Sequence, residues 1–191
     1  MHNATVSALM CAMLVIPAAA AAQQVPAPTG QTFTLSGEMA RGYQDLQRNL
    51  VEAAEKMPPA DYAFRPTADI RPFGQLVAHV ALAQFGTCAM LKGEPNPSKD
   101  DKEGASRTKA DAVALLKASA AYCDPLVSAL TESAMTELTK VGQNQAAKGL
   151  LPASLLTHGM EMYGAMAVYL RLKGIVPPTT ERQNQQPKKG A

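Results

Sequence analysis

Residues 155–178 read LLTHGMEMYGAMAVYLRLKGIVPP, and their spacing decides the fold. Leu155, His158, Met162, Ala165, Tyr169 and Leu172 recur three and four positions apart, so they share one face of an α-helix. The stretch predicts an amphipathic helix from about Pro152, with His158 on its inner seam. Gly174 is placed as a left-handed stop, and Pro177 and Pro178 prevent continuation.

Three further stretches have the same character. Ser36 can cap a helix in which Met39, Tyr43, Leu46, Leu50, Ala53 and Met57 form a seam, ended by Pro58 and Pro59. The segment ADYAFRPTADIR reads as an extended crossing, because Pro66 and Pro72 restrict the residues before them. Pro72 suits the first turn of a second helix, PFGQLVAHVALAQFGTCAMLK, which is apolar on two stripes and therefore largely buried. One stripe holds Leu76, His79, Ala83 and Met90, the other Phe73, Val77, Val80, Gln84 and Leu91. After the polar connection GEPNPSKDDKEGASR, Thr108 or Asp111 can open a third helix with the seam Val113, Leu116, Ala120, Cys123, Val127 and Leu130, kinked at Pro125.

Residues 131–149 read as a loop between short helical pieces, and residues 179–191 as a disordered polar tail. Four amphipathic helices without a convincing strand predict an all-α four-helix bundle over residues 36–178. At 47% hydrophobic and 18% charged, the chain suits a single domain with a sizeable core. Net charge is +2 with no basic stripe alternating with aromatics, which argues against nucleic acid as a partner.

Residues 4–22, ATVSALMCAMLVIPAAAAA, are uncharged, with an apolar core ending at a proline and a small-residue stretch. They read as a secretory signal peptide over residues 1–22, followed by a linker over 23–35. The mature chain is thus expected to be periplasmic or secreted, with no membrane association after cleavage. Cleavage removes Cys11 and His2, leaving Cys88 and Cys123 in an oxidising compartment and only His79 and His158. If the second and third helices are antiparallel neighbours, Cys88 and Cys123 can meet in a disulfide. Two separate buried thiols, or a redox or metal role, are the alternatives.

The blocks FRPTADIRPFGQLVAHVALAQF and THGMEMYGAMAVYLRLKGIVPP resemble the DinB-like family of four-helix bundles, especially its exported bacterial members. In metal-binding members, one histidine comes from the second helix and two from a His-x-x-x-His on the last. His79 and His158 match the first two, and Met162 stands at the third. The resemblance also implies a cysteine in similar contexts, in favour of the Cys88–Cys123 pairing.

Residues four apart share a helix face, so two imidazoles there can grip one ion while a facing helix supplies a third donor. Met162 breaks that set. The favoured reading has no metal: His79 and His158 hydrogen-bond across helices, Met162 fills volume, and the chain is a degenerate member acting in binding or interaction. A second keeps Zn, Ni or Fe on His79 and His158 with a carboxylate, Glu161 as the alternative ligand and Gln84 or water assisting. A third uses the ladder His158, Met162, Met166 for Cu(I).

The catalytic residues are not assigned by the sequence. Asp61, Asp69, Asp100, Asp101 and Glu103 lie in connectors and read as solvated surface, and no phosphate loop or nucleophile elbow occurs. Two classes follow: a binding protein that uses the bundle cavity for a small molecule or a helix face in a homodimer, or a metal-dependent transferase or hydrolase.

Overall fold

The computed structural model describes residues 30–186. The signal-peptide segment, linker residues 23–29 and tail residues 187–191 lie outside the described residues.

Helix α1 (Leu35–Lys56) is capped by Thr34, whose side chain accepts from the Gly37 N–H, and not by Ser36. Ser36 instead donates its backbone N–H to Glu132. Helices α2 (Phe73–Lys92) and α3 (Lys109–Ser128) follow, the latter opened by a capping box between Thr108 and Asp111. Pro125 lies inside α3, and the helix continues past it to Ser128. A single turn α4 (Glu132–Thr136) leads into a hairpin of β1 (Leu138–Val141) and β2 (Asn144–Ala147). Helix α5 (Leu150–Leu172) ends at Gly174, whose φ is 71°.

The helix directions can be read from contacts across the core. Gly42 and Leu46 of α1 meet Leu156 and Gly159 of α5 in the same order, so these helices are parallel. Phe73 and His79 of α2 meet Tyr169 and His158 of α5 in reverse order, so those are antiparallel. Gln84 and Cys88 of α2 meet Ser119 and Cys123 of α3 in the same order. Helices α2 and α3 are therefore parallel, not antiparallel as the sequence reading supposed. The connection 93–108 consequently returns along the length of the bundle before α3 begins.

The core is apolar and shared by all four long helices, with Leu50, Phe73, Val77, Leu116, Met166 and Leu170 fully buried. Gly159 fits because a Cβ there would run into Leu46. Leu172, assigned to the inner seam by spacing, is exposed, and the inner face of α5 runs instead through Leu155, Gly159, Met166, Tyr169 and Leu170. Cys88 and Cys123 form a disulfide.

Two segments depart from expectation. The expected loop in 131–149 contains a β-hairpin. Gly142, at φ 61°, supplies the positive backbone angle that a two-residue turn needs at its first position. The tail expected to be disordered forms helix α6 (Pro178–Gln185). It is anchored by Arg182 to Glu52 and Asn49 of α1, by Lys56 to Glu181 at 2.8 Å, and by the Tyr163 hydroxyl to Thr179 at 2.9 Å. Polar composition alone misled here, because the partners of α6 lie far away in sequence on α1 and α5.

Candidate functional site

The antiparallel packing of α2 on α5 brings His79 and His158 together, with their Nε2 atoms 3.1 Å apart. Both are half-buried at the seam. Behind His79, Nδ1 lies 2.8 Å from Glu103 Oε2, and the other oxygen of Glu103 accepts from Arg71 Nε. The backbone carbonyl of Arg71 accepts from the Tyr169 hydroxyl at 2.6 Å. A chain of polar contacts thus runs from Tyr169 through Arg71, Glu103 and His79 to His158.

The proton positions follow from chemistry. An ionised carboxylate only accepts, so His79 carries its proton on Nδ1 and offers a lone pair at Nε2. His158 must then donate through its own Nε2–H when both rings are neutral. Burial of Glu103 works to raise its pKa, but hydrogen bonds from Arg71 and His79, and their charges, prevail and hold it below the ordinary carboxylate range. Burial lowers the pKa of His158, the nearby His79 and more weakly Arg71 act in the same direction, and Glu161 opposes them.

These shifts predict a pH dependence. Unfolded, His158 takes a proton near its ordinary pKa of 6.5; folded, it does so only at lower pH. Between those values the unfolded chain binds more protons, so stability falls as pH falls below about 6.5. Denaturant unfolding of wild type and His158→Gln from pH 7 to 5 should show this slope in wild type and its reduction in the variant. An equal slope in both would contradict it. Stability from the depressed Glu103 pKa is present above the ordinary carboxylate value and is lost in the more acidic range.

Met162 lines a largely apolar groove of about 440 Å³ with Ile70, Leu76, Val168 and Tyr169, to which Asp69 and Arg71 also contribute. Glu161 is exposed and acts on His158 through charge. Met166 is fully buried in the core. Among the described residues, no three His, Cys, Asp or Glu side chains gather where one ion could be held. The residues present supply two nitrogens whose facing positions share a proton, so they do not complete a three-donor metal site.

A second groove of about 360 Å³ lies on the other side of the pair, lined by Val80, Ala83, Gln84, Met90, Leu155 and His158 among others. Both grooves follow the α2/α5 seam. Glu103, read from sequence as solvated surface, is instead part of the site. Several other acids share its connector, and nothing local marks this one out. The parallel course of α2 and α3 carries the connection past His79.

The geometry defines a helical bundle with a histidine pair in a seam between two apolar grooves. The sequence model of the DinB superfamily matches residues 43–154, and the chain belongs to that superfamily. The fold is similar to the crystal structure of a DinB-like protein from Bacillus subtilis, with 18% identity, TM-score 0.59, and 72% of this chain and 92% of that one covered. It is likewise similar to a DinB-like protein from Bacillus cereus ATCC 10987, at 12% identity and TM-score 0.64, over 76% of this chain and 96% of that one. No curated protein matches the chain.

Proposed function

We propose that this chain is a binding member of the superfamily, holding a small, largely apolar molecule along the α2/α5 seam against the His79–His158 pair. The observation that carries this reading is the placement of Met162. It lines a largely apolar groove, so a thioether stands where a third imidazole would be needed. Each groove falls within the usual volume range of small-molecule pockets, and a few polar groups beside apolar walls are the usual composition of such sites. Export is part of the proposal. It is supported by the apolar run at residues 4–22 and by the Cys88–Cys123 bond, which belongs to an oxidising compartment.

A metal-dependent transferase or hydrolase is the second reading. It is favoured by one observation: two imidazole nitrogens face each other at 3.1 Å with a carboxylate behind one ring, as ligating histidines often have.

Elemental analysis of untagged protein, alongside His158→Ala, separates the two readings. Zn, Ni, Fe and Cu well below one equivalent in both proteins is the expected result, and one equivalent of metal lost in the variant would overturn the binding reading. For the ligand, a neutral fluorescent probe such as N-phenyl-1-naphthylamine should bind saturably at one site and lose that binding in Ala83→Phe, which fills the groove. Unchanged binding in that variant would count against the seam.

A further inference from the structure

Three helices bring polar or sulfur-bearing side chains to the same two levels of the core. At one level, Gln84 Nε2 lies 3.1 Å from Gln47 Oε1, and the Ser119 hydroxyl lies 2.8 Å from Gln84 Oε1. One turn along each helix stand Tyr43, Cys88 and Cys123. Tyr43, Ser119 and both cysteines are 0% exposed, Gln84 is 4% and Gln47 7%, so all six are more than nine-tenths buried. Among the described residues, two polar atoms in this region have no protein partner: the Tyr43 hydroxyl and Gln47 Nε2. Buried polar groups are nearly always hydrogen-bonded, which makes these two exceptions informative.

The shortfall survives any assignment of the amide ends. Ser119 has one hydroxyl proton but lies 2.8 Å from both Gln84 Oε1 and the Leu116 carbonyl. A carbonyl only accepts, so the proton is best spent there. Gln84 would then turn its NH2 to Ser119 and its oxygen to Gln47, and Gln47 would turn to donate. That exchange leaves the Gln47 oxygen without a partner where its nitrogen stood. In either arrangement one end of the Gln47 amide is unmatched, a donor in one and an acceptor in the other.

Tyr43 and Gln47 project from one face of α1 a turn apart, yet they make no hydrogen bond to each other. The Tyr43 phenol stays protonated, because burial and then the charge of Asp124 push its pKa up. The guest that fits must therefore pair with an O–H that can donate or accept, and with an amide end of either kind. Where the Gln47 oxygen is the unmatched end a carbonyl cannot donate to it, and the charge of Asp124, which already acts on Tyr43, disfavours an anion. Water does both and bridges polar groups too far apart to bond directly.

We propose that the core holds an ordered water bridging the Tyr43 hydroxyl and the Gln47 side-chain amide. Gln84 belongs both to this polar cell and to the α2/α5 groove, so the water lies one side chain behind the groove floor.

The decisive variant is Tyr43→Phe, which removes only the hydroxyl. With the water in place, the variant loses a hydrogen bond, and the folding equilibrium constant should fall about tenfold. Were the hydroxyl unpaired, its removal would leave stability unchanged or raise it, and that result would overturn the proposal. Rotating-frame NMR on the wild-type protein gives a second measurement independent of the variant. A cross-peak between a long-lived water and the Gln47 side-chain NH2 or the Tyr43 ring is expected, and its absence would also overturn the proposal.

Discussion

Replacing both Cys88 and Cys123 by alanine is expected to destabilise the protein by ~4 kcal/mol. The bond closes a loop with a sequence separation of 35, and the chain-entropy model gives roughly this loss for such a loop. For a domain of this size the melting temperature should drop by about 8–16 °C. The bond also joins two parallel helices at a fully buried level of the core, beside Tyr43, Val127 and Leu155. Differential scanning calorimetry on the double variant measures the effect, with the wild type before and after reduction in denaturant as a control for the bond. A loss of under about 1 kcal/mol would mean that the bundle does not depend on this link, contrary to the prediction.

The second large effect lies at the other end of α2. Phe73 is fully buried and packs edge-on against Tyr62 at 5.3 Å and beside Tyr169 at 5.8 Å between ring centroids. It is one of the points where the crossing segment 57–72 is tied to the bundle, since its N–H donates to the Phe64 carbonyl at 2.9 Å. Phe73→Ala removes the ring and leaves a cavity, at an expected cost of ~3–5 kcal/mol. Because Tyr169 also donates to the Arg71 carbonyl, the variant should loosen the support of the Arg71–Glu103–His79 chain. Phe85→Ala, a half-buried ring against Tyr122, should cost less. Equal losses in urea titrations of the two variants would show that burial at Phe73 is not what matters.

The helices were legible because each carries its own periodic signal. The seams of α1, α2 and α5 and the stops at Pro58 and Gly174 are local features, and the structure reproduces them with small shifts in register. Helix direction was not legible. Parallel and antiparallel neighbours have the same periodicity, so only the contacts of Gln84 with Ser119 and Cys88 with Cys123 reveal that α2 and α3 run together.

That single topological fact explains what was missed at the site. A connection between parallel helices must travel the length of the bundle, and this one delivers Glu103 to His79 from a charge-rich segment in which it has no distinguishing neighbour. His79 and His158 could be paired in advance only through the family resemblance, since they are 79 positions apart. The polar layer at Gln47, Gln84 and Ser119 was only partly legible for a related reason. Spacing puts Gln84 on a buried stripe of α2, but its partners come from α1 and α3, and nothing local pairs them.

The two nitrogens at the seam set the limit on what the site can do. His79 is oriented by Glu103, and its free lone pair is met by His158. Burial first, then the charge of His79, favours a neutral His158, which suits a hydrogen-bonded pair, and Arg71 keeps the Glu103 charge compensated. Among the described residues, no further histidine, cysteine or carboxylate gathers with the pair to hold one ion. At position 162, one turn beyond His158, the chain places a thioether in an apolar groove.

Calorimetric titration of Zn(II) into metal-free wild type and Met162→His tests this claim most directly. Wild type should bind weakly, and Met162→His at least about tenfold more tightly, ~1.4 kcal/mol, once a third imidazole shares the face with His158. Stoichiometric, submicromolar binding by the wild type that is lost in His158→Ala would contradict it, as would a Met162→His protein that folds normally yet binds no more tightly.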